Sequence, residues 1–147
     1  ALRTGGVAVG VREREFVASL ESLPDIRSFV LEEDGAEGRL PPRRAAHMDV
    51  AIEVIVVNIC SYAYEIPPGR LTVRVEESPD AFSVEFLDNG VAFDPLSVDD
   101  PDVSLPLDGR DAGGLGILLI RRMMDEVHYS RRGDLNSLRI VMTAGGR

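Results

Sequence analysis

Hydrophobic residues recur along this chain with two different spacings, and the spacing changes from one segment to the next. Between Leu20 and Val30, apolar side chains recur every three or four positions, which is the repeat of one face of an α-helix. Between Leu71 and Glu76 they alternate with polar residues, and the alternation resumes from Phe82 to Phe86 after the connection ESPD. This second pattern predicts two half-buried strands joined as a hairpin.

The apolar run Val50–Cys60 carries conflicting signals. Only two polar residues interrupt it, and its β-branched residues suit a buried strand. The apolar segment is nevertheless longer than a typical strand, and Pro41-Pro42 just before it is an acceptable helix start. We therefore predict a buried helix from Ala45 to about Tyr64, which Pro67-Pro68-Gly69 ends.

The remaining segments complete an order of elements that fits one domain. They are a short strand, a glycine-opened helix and two strands around the turn RRGDLN, at Arg12–Ala18, Gly113–Asp125, Val127–Ser130 and Leu138–Thr143. Residues 1–10 are expected to be a loose tail. Val91–Ala112 has no periodicity, which is typical of a functional lid or a disordered segment. The order predicts an α+β fold: a two-layer α/β sandwich with helices on one face of a mixed β-sheet, as a single domain over residues 1–147.

Composition narrows the chemistry more than the fold. The net charge of −9 disfavours direct binding of nucleic acid, since such proteins need a surplus of cations. All 16 basic residues are arginines, so the chain lacks the phosphate-binding lysine of P-loop proteins and of protein kinases. Phosphate must then be bound by backbone amides, arginine or a metal ion. A single cysteine, Cys60, and the lack of any apolar run of transmembrane length predict a soluble, cytoplasmic protein with no membrane partner.

Three local features carry candidate chemistry, and each also has a purely structural interpretation. Asn58 interrupts a strongly apolar helix, either as a core amide that bonds a neighbouring backbone group or as a ligand for Mg²⁺. The segment LDNGVAFDP contains Asp88 and Gly90 at a strand end. It is either a common Asn-Gly turn or a carboxylate that accepts a hydrogen bond from an exocyclic amine such as that of adenine. The glycines of GGLG open a helix, either as a hinge or as an anion site made of free amides.

The three features occur in the order and spacing of a known set of motifs. The runs AIEVIVVNICSYAY, LDNGVAFDP and GGLGILLIRRMMDEVHY resemble the N, G1 and G2 boxes of the GHKL (Bergerat-fold) ATPases. Among these, they are most similar to the anti-sigma-factor serine/threonine kinases of bacterial partner-switching systems. The resemblance covers about Arg12 to Thr143 and implies a histidine-kinase-like ATPase fold, which also favours the helix at Ala45–Tyr64. It implies ATP and Mg²⁺ as cofactors.

Carried over residue by residue, the resemblance implies a role for each motif. Asn58 corresponds to the Mg²⁺ ligand, Asp88 to the residue that reads adenine, and Gly90 to the glycine that allows close approach of the base. Further residues of the second and third motifs complete the candidate nucleotide contacts: Phe93, Gly113, Gly114, Leu115 and Gly116.

One position departs from the family pattern. The family has a glutamate four residues before the metal-binding asparagine, where it serves as general base, and this chain has Val54 there. Glu53 is the neighbouring acid and is the candidate substitute base, although at ~100° per residue it points to another side of the helix. A histidine of the family motif is also replaced, by Tyr62. Since loss of a general base costs ~10²–10⁴ in rate, nucleotide binding is better supported than phosphoryl transfer.

Three hypotheses about function follow from the resemblance. The first is an ATP-dependent serine/threonine protein kinase that acts on an anti-sigma-factor antagonist of the STAS type and contacts a sigma factor, with a homodimer as a further option. The second is a catalytically impaired, nucleotide-dependent binding module of the same systems, in which the lid orders around nucleotide. The third is the catalytic domain of a histidine kinase. It needs a separate phospho-accepting helix, and His47, which alone precedes the first motif, lies too close to that motif.

Overall fold

The computed structural model of the chain describes residues 2–4, 7–31, 40–62, 69–90 and 112–143. Within these ranges the α-helices are α1 (Leu23–Leu31), α2 (Pro42–Tyr62) and α3 (Ala112–Met123), and a short 3-10 helix, Leu20–Ser22, precedes α1. Helix α2 begins with a proline at its first position, where the missing N–H is not needed by the helix. The helix predicted in the conflicting apolar run is thus confirmed. No helix in the described ranges is both long enough and apolar enough to cross a bilayer.

The strands of the described residues form one sheet in the order β1-β2-β3-β4-β6-β5. Their bounds are β1 Leu2–Thr4, β2 Val7–Ala18, β3 Gly69–Glu77, β4 Ala81–Asp88, β5 Glu126–Arg132 and β6 Leu135–Thr143. Both predicted hairpins are present, as β3–β4 and β5–β6. The loose tail expected at residues 1–10 is corrected for Leu2–Thr4 and Val7–Gly10, which form β1 and the beginning of β2.

Every strand pairing among the described residues is antiparallel. Two helices, α1 and α2, separate β2 from β3, so the chain re-enters the sheet in the direction opposite to β2. Among the described residues, helix α3 connects β4 to β5 along the chain, and a helical connection of this kind suits two neighbouring parallel strands. In the sheet, however, β6 lies between β4 and β5. The mixed sheet expected from the sequence is therefore corrected to an antiparallel one, while the α+β sandwich itself is confirmed.

The core lies between the helices and one face of the sheet. Along β3, the buried positions alternate with partly exposed ones, because successive side chains of a strand point to opposite faces. The inward residues of the central strands are Leu71, Val73, Val75, Phe82, Val84, Phe86, Leu138, Ile140 and Met142. They pack with the buried helical residues Ile26, Phe29, Val30, Met48, Ile52, Ile55, Val56 and Ile120. This core confirms that the helices lie on one face of the sheet, as the sequence predicts.

Helices α2 and α3 pack antiparallel to each other, which decides where their ends lie. Near the start of α2, Arg44 Nη2 lies 2.7 Å from Oδ2 of Asp125, just beyond the end of α3. Further along α2, Val54 contacts Gly116 in the first half of α3. The same Asp125 oxygen accepts a 2.7 Å hydrogen bond from the N–H of Thr143 at the end of β6. The end of α2 and the beginning of α3 therefore lie together at the other end of the sandwich.

Candidate functional site

The candidate site lies at the end of the sandwich where β4 stops. Asp88 is the last residue of β4 and pairs in register with Asn136, the second residue of β6. Thr143, at the far end of β6, pairs instead with Ala81 at the beginning of β4. Because Arg44 and Asp125 are bonded near Thr143, the end of α2 and the glycine-rich start of α3 lie at the Asp88 end of the sheet. The three motifs found in the sequence thus converge on one end of the molecule.

Asp88 is held in a fixed position by two hydrogen bonds to one of its oxygens. Its Oδ1 accepts a bond of 3.0 Å from the N–H of Gly90 and another of 3.0 Å from Nδ2 of Asn136. The side chain is buried, with a relative exposure of 5%, and Gly90 is buried as well. No hydrogen bond among the described residues ends on Oδ2 of Asp88. One acceptor oxygen is therefore left for another donor.

Burial raises the pKa of the Asp88 carboxyl above its ordinary value. The hydrogen bonds from Asn136 and Gly90 and the positive charge of Arg131 oppose this rise without cancelling it. An ionised carboxylate in these surroundings gains from a further hydrogen-bond donor. An exocyclic amine is such a donor.

The β5–β6 hairpin supplies residues to the site that the sequence analysis did not identify. Tyr129 donates its hydroxyl to Oδ1 of Asn136 at 2.5 Å, and Arg131 Nη1 donates to the carbonyl of Gly90 at 3.0 Å. Asn136 lies in the segment RRGDLN, which the sequence identified only as a turn. The only sign of a functional role in the sequence is that Asn136 and Ser137 are two neighbouring polar residues. The β4–β6 register is what brings Asn136 opposite Asp88.

Val54 occupies the position where the family pattern has its general base, and it packs against α3. A Cβ placed on Gly116 would lie 2.6 Å from Val54 Cγ1, which is closer than real Cβ atoms approach a neighbour. Glycine at position 116 therefore allows the two helices to meet at this point. The glycine that the sequence analysis assigned to phosphate binding also has a packing role.

Asn58 lies one helical turn beyond Val54 on α2 and is half-buried. Since α2 and α3 are antiparallel, this turn is level with the first turn of α3, which contains Gly113, Gly114 and Leu115. The structure thus brings the backbone of Asn58 and of the glycine run to the same level. In the described part of the chain, no three His, Cys, Asp or Glu side chains form a cluster suited to a metal ion.

Glu53, the candidate substitute base, lies on the side of α2 that faces α1. It is 55% exposed and forms an ion pair with Arg27 of α1. Arg27 Nε also lies 2.6 Å from Oδ1 of Asp49, one turn earlier on α2. The structure does not bring Glu53 to the contact between Val54 and Gly116. Phe93 and the lid predicted at Val91–Ala112 lie outside the described residues, apart from Ala112, the first residue of α3.

The described residues fit an adenine nucleotide at this end of the sheet. Asp88 has one oxygen that no described residue bonds, and Gly90, two residues further on, carries no side chain. A half-buried amide on α2 and the glycine-rich start of α3 lie on the neighbouring layer. An amide oxygen suits Mg²⁺, and the amides of a helix N-terminus suit phosphate.

The chain is similar in sequence to known proteins. The sequence pattern of the histidine kinase-like ATPase domain matches residues 16–142. The chain is 31% identical over 85 residues to the serine/threonine-protein kinase BtrW of Bordetella bronchiseptica, an alignment that covers 57% of this chain and 60% of BtrW. It is also 31% identical over 84 residues to the serine-protein kinase RsbW of Bacillus cereus, covering 54% of this chain and 52% of RsbW. The alignments thus span little more than half the length of these relatives.

Proposed function

Because the chain belongs to the histidine kinase-like ATPase family, we propose that it binds ATP with Mg²⁺ and acts as a regulator of the anti-sigma-factor serine/threonine kinase type. The kinase names of two relatives, BtrW and RsbW, and the resemblance of three motifs support this proposal. The observation that carries it is the Asp88 carboxylate, buried and bonded through Oδ1 alone among the described residues.

Each element at this end of the sandwich has a proposed part in holding the nucleotide. The free oxygen of Asp88 would accept from the exocyclic amine of adenine, and Gly90 would leave space for the ring. Asn58 would offer its amide oxygen to Mg²⁺, and Gly113, Gly114, Leu115 and Gly116 would turn backbone amides toward phosphate. Phe93, in the same motif as Asp88, would contact the nucleotide from the lid. ATP with its metal supplies an activated phosphoryl group.

The proposed partners are proteins. The residues of this chain would position a partner's hydroxyl group relative to the bound nucleotide. A serine or threonine hydroxyl of a STAS-type antagonist would receive the phosphoryl group, and a sigma factor would bind in a nucleotide-dependent way. A homodimer and a cytoplasmic location are part of the same proposal. Positioning and charge stabilisation account for much of the catalysis of phosphoryl transfer, which the site can provide without lysine.

A thermal-shift titration tests nucleotide binding directly. The protein is titrated with ATP and ADP, each with Mg²⁺ and with a chelator. At a nucleotide concentration of 100 times Kd, binding adds ~2.7 kcal/mol to the free energy of unfolding. We expect both nucleotides to raise the melting temperature, and the chelator to weaken the effect. No shift with either nucleotide at millimolar concentration would contradict the proposal.

A second candidate function is a nucleotide-dependent binding module with impaired catalysis, and Val54 favours it. Val54 fills the position of the general base and cannot accept a proton, and its γ-methyl lies against Gly116. Glu53 is engaged with Arg27 on another side of α2. With no base acting on the acceptor hydroxyl, transfer is expected to be slower by ~10²–10⁴ than with one.

Two substitutions at position 54 separate the candidates. Val54→Glu introduces a carboxylate, and Val54→Gln introduces a side chain of nearly the same volume that cannot act as a base. Transfer from radiolabelled ATP to a candidate antagonist is measured as acid-stable phosphoester, which also excludes phosphohistidine. If Val54→Glu speeds transfer and Val54→Gln does not, the natural protein is the impaired module. Equally fast transfer by the natural protein and the Val54→Glu variant makes it an active kinase.

A further inference from the structure

Two side chains of the β5–β6 hairpin contact the Asp88–Gly90 turn, and a third side chain bonds one of them. Asn136 Nδ2 donates to Oδ1 of Asp88 at 3.0 Å, and Tyr129 donates its hydroxyl to the amide oxygen of Asn136. Arg131 Nη1 donates to the carbonyl of Gly90, and Arg131 Nε donates to the carbonyl of Gly133 in the hairpin turn, both at 3.0 Å. The hairpin thus bonds both ends of the turn that follows β4.

The chemistry of these groups permits only one orientation of the Asn136 amide. An ionised carboxylate is an acceptor only, so the amide must present its NH₂ group to Asp88. Its oxygen then points away from Asp88 and receives the Tyr129 hydroxyl proton. Asn136 is buried and pairs in register with Asp88, so its side chain lies beside the carboxylate. Tyr129 therefore holds the amide in the orientation that Asp88 needs.

The two donors on Oδ1 also decide which oxygen of Asp88 is left. Asn136 and the N–H of Gly90 both bond Oδ1, and no described residue bonds Oδ2. A carboxylate held in this way cannot rotate without losing two hydrogen bonds. Arg131 adds a positive charge near the carboxylate and fixes the Gly90 carbonyl, so the backbone beside the carboxylate is held as well.

Resting on the proposed function, we propose that Asn136, Tyr129 and Arg131 are positioning residues of the base-binding site, which hold Asp88 so that its Oδ2 selects a purine carrying a 6-amino group. Asn136 acts on Asp88 directly, and Tyr129 acts through Asn136. Arg131 acts through the backbone of Gly90 and through its charge. None of the three needs to contact the nucleotide.

This role has a pH signature that a purely structural role lacks. Asp88 accepts an amine most strongly when it is ionised, and burial already raises its pKa. The donors that oppose this rise are Asn136 and Gly90, and the charged group that acts on Asp88 from the described residues is Arg131. Loss of the Asn136 donor removes one opposing interaction. The pKa of Asp88 and the acid limb of nucleotide binding then both move to higher pH.

A pair of isosteric substitutions isolates the donor. Asn136→Thr keeps a hydroxyl next to Asp88, whereas Asn136→Val has the same shape and no donor. Tyr129→Phe removes only the hydroxyl that holds the amide and keeps a full ring, so it also serves if the Asn136 variants unfold. Ser137→Ala is the control, because Ser137 is buried in the same strand and donates to Glu85, a different carboxylate.

The measurements are calorimetric binding of ADP and of inosine diphosphate with Mg²⁺ over a pH series, and titration of the Asp88 carboxyl by carbon NMR without nucleotide. Since an Asp88 carboxylate that can rotate presents Oδ2 to the amine only part of the time, we expect Asn136→Val to bind ADP about tenfold more weakly than Asn136→Thr. Its preference for ADP over inosine diphosphate should shrink, and its Asp88 pKa should rise. Tyr129→Phe should show the same changes to a smaller extent, and Ser137→Ala none of them.

The outcomes separate this inference from the proposed function. If the natural protein does not bind ADP at all, the proposed function fails and the inference fails with it. If the natural protein binds ADP, but Asn136→Val and Tyr129→Phe match it in affinity, base preference and Asp88 titration, only the positioning role is overturned. Equal losses of affinity in Ser137→Ala would also overturn it, because they would come from general damage to the strand.

Discussion

Val54 of helix α2 packs directly against Gly116 of helix α3. The side chain of Val54 leaves no room for a Cβ on Gly116, since this Cβ would lie 2.6 Å from Cγ1 of Val54. Val54 stands where the resemblance implies a general base, and Gly116 belongs to the glycine-rich motif. An apolar contact thus joins the two helices that carry the candidate phosphate and metal residues.

Gly116→Ala is expected to destabilise the protein. In an exposed helix, replacing glycine with alanine stabilises the protein by ~1 kcal/mol. A decrease in the free energy of unfolding would therefore indicate a steric conflict at this position. Here the added methyl group overlaps a β-branched side chain with few rotamers, and overpacking of this kind costs about 1–3 kcal/mol. Urea unfolding followed by circular dichroism measures the change in the free energy of unfolding.

The double variant Gly116→Ala with Val54→Ala is the matched control. Removing the γ-methyl groups of Val54 removes the overlap, so the double variant should be more stable than the sum of the two single changes predicts. Strictly additive effects would show that the contact between Val54 and Gly116 does not constrain α3.

Asp88→Asn is expected to separate stability from nucleotide binding. The amide oxygen of asparagine can accept the bonds from Gly90 and Asn136, which places its NH₂ group where Oδ2 was. A donor then faces the donor of the adenine amine, and binding is lost. The ~2.7 kcal/mol of stabilisation expected at 100 times Kd should disappear in a thermal-shift titration with ADP.

The stability of Asp88→Asn without nucleotide should depend on pH in a defined direction. Because the folded-state pKa of Asp88 is raised, the natural protein loses stability as the pH rises from the ordinary carboxyl pKa through the folded value. Asparagine removes this loss, so the variant should gain stability relative to the natural protein at neutral pH and no longer do so in acid. Asp80→Asn, in the exposed β3–β4 turn, is the control. If Asp88→Asn is less stable than the natural protein at pH 7 but not at pH 3, the raised pKa of Asp88 is contradicted.

Periodicity predicted most of the elements, and Asp88 and Gly90 were predicted to lie at the end of a strand. The length of the apolar run decided in favour of helix α2, and alternation located the β3–β4 hairpin. The positioning residues could not be predicted in this way. Asn136 reaches Asp88 only through the strand order β4-β6-β5, and neither the order nor the register of separated strands is written in local spacing.

The expectation of a loose tail at residues 1–10 went further than the sequence pattern allowed. The alternation near the start of the chain is weak, yet β2 extends back to Val7 because its backbone pairs with β3 and β1. Backbone pairing depends on a neighbouring strand and not on side-chain alternation alone. For Glu53, the ion pair with Arg27 agrees with the ~100° offset from Val54 that helix geometry already indicates from the sequence.

Asp125→Asn is expected to destabilise the end of the sandwich opposite Asp88. Burial acts to raise the pKa of Asp125, but hydrogen bonds from Thr143 and Arg44 outweigh it, and the pKa is lowered. Both partners lie 2.7 Å from the same carboxylate oxygen, and the side chains of Arg44 and Asp125 are 12% and 15% exposed. Loss of bonds to a charged group should cost about 1.5–3 kcal/mol at neutral pH.

The pH dependence of the Asp125 contribution has the opposite sign to that of Asp88. A carboxyl with a lowered folded-state pKa contributes its full stabilisation above the ordinary value of 3.8, and loses it as the pH falls through the folded value. Urea unfolding of the natural protein and of Asp125→Asn at a series of pH values should therefore give curves that converge in acid. A gap that stays constant down to pH 2 would show that the ion pair with Arg44 is not its source.

Arg12→Met is expected to be among the most destabilising single changes in the described part of the chain. Arg12 Nη1 lies 2.8 Å from Oε1 of Glu77, and Nη2 and Nε donate to the carbonyls of Val30 and Phe29 at the end of α1, at 2.9 and 3.3 Å. The arginine side chain is 15% exposed and the glutamate 6%. Removing one partner of a buried ion pair costs about 3–5 kcal/mol, because the other charge stays buried without it.

The double variant Arg12→Met with Glu77→Met tests this explanation. Replacing both charges with apolar side chains also removes the buried carboxylate that has lost Arg12, so much of the lost stability should return. The remaining deficit should correspond to the two carbonyls at the end of α1, which lose their donors. Arg12 and Glu77 lie at the end of β3 away from Asp88, since Leu71 pairs with Asp88 and Glu77 with Phe82. Affinity for ADP at low temperature, where both variants are folded, should therefore match that of the natural protein, and a loss of affinity in the double variant would show that the two ends of the sheet are coupled.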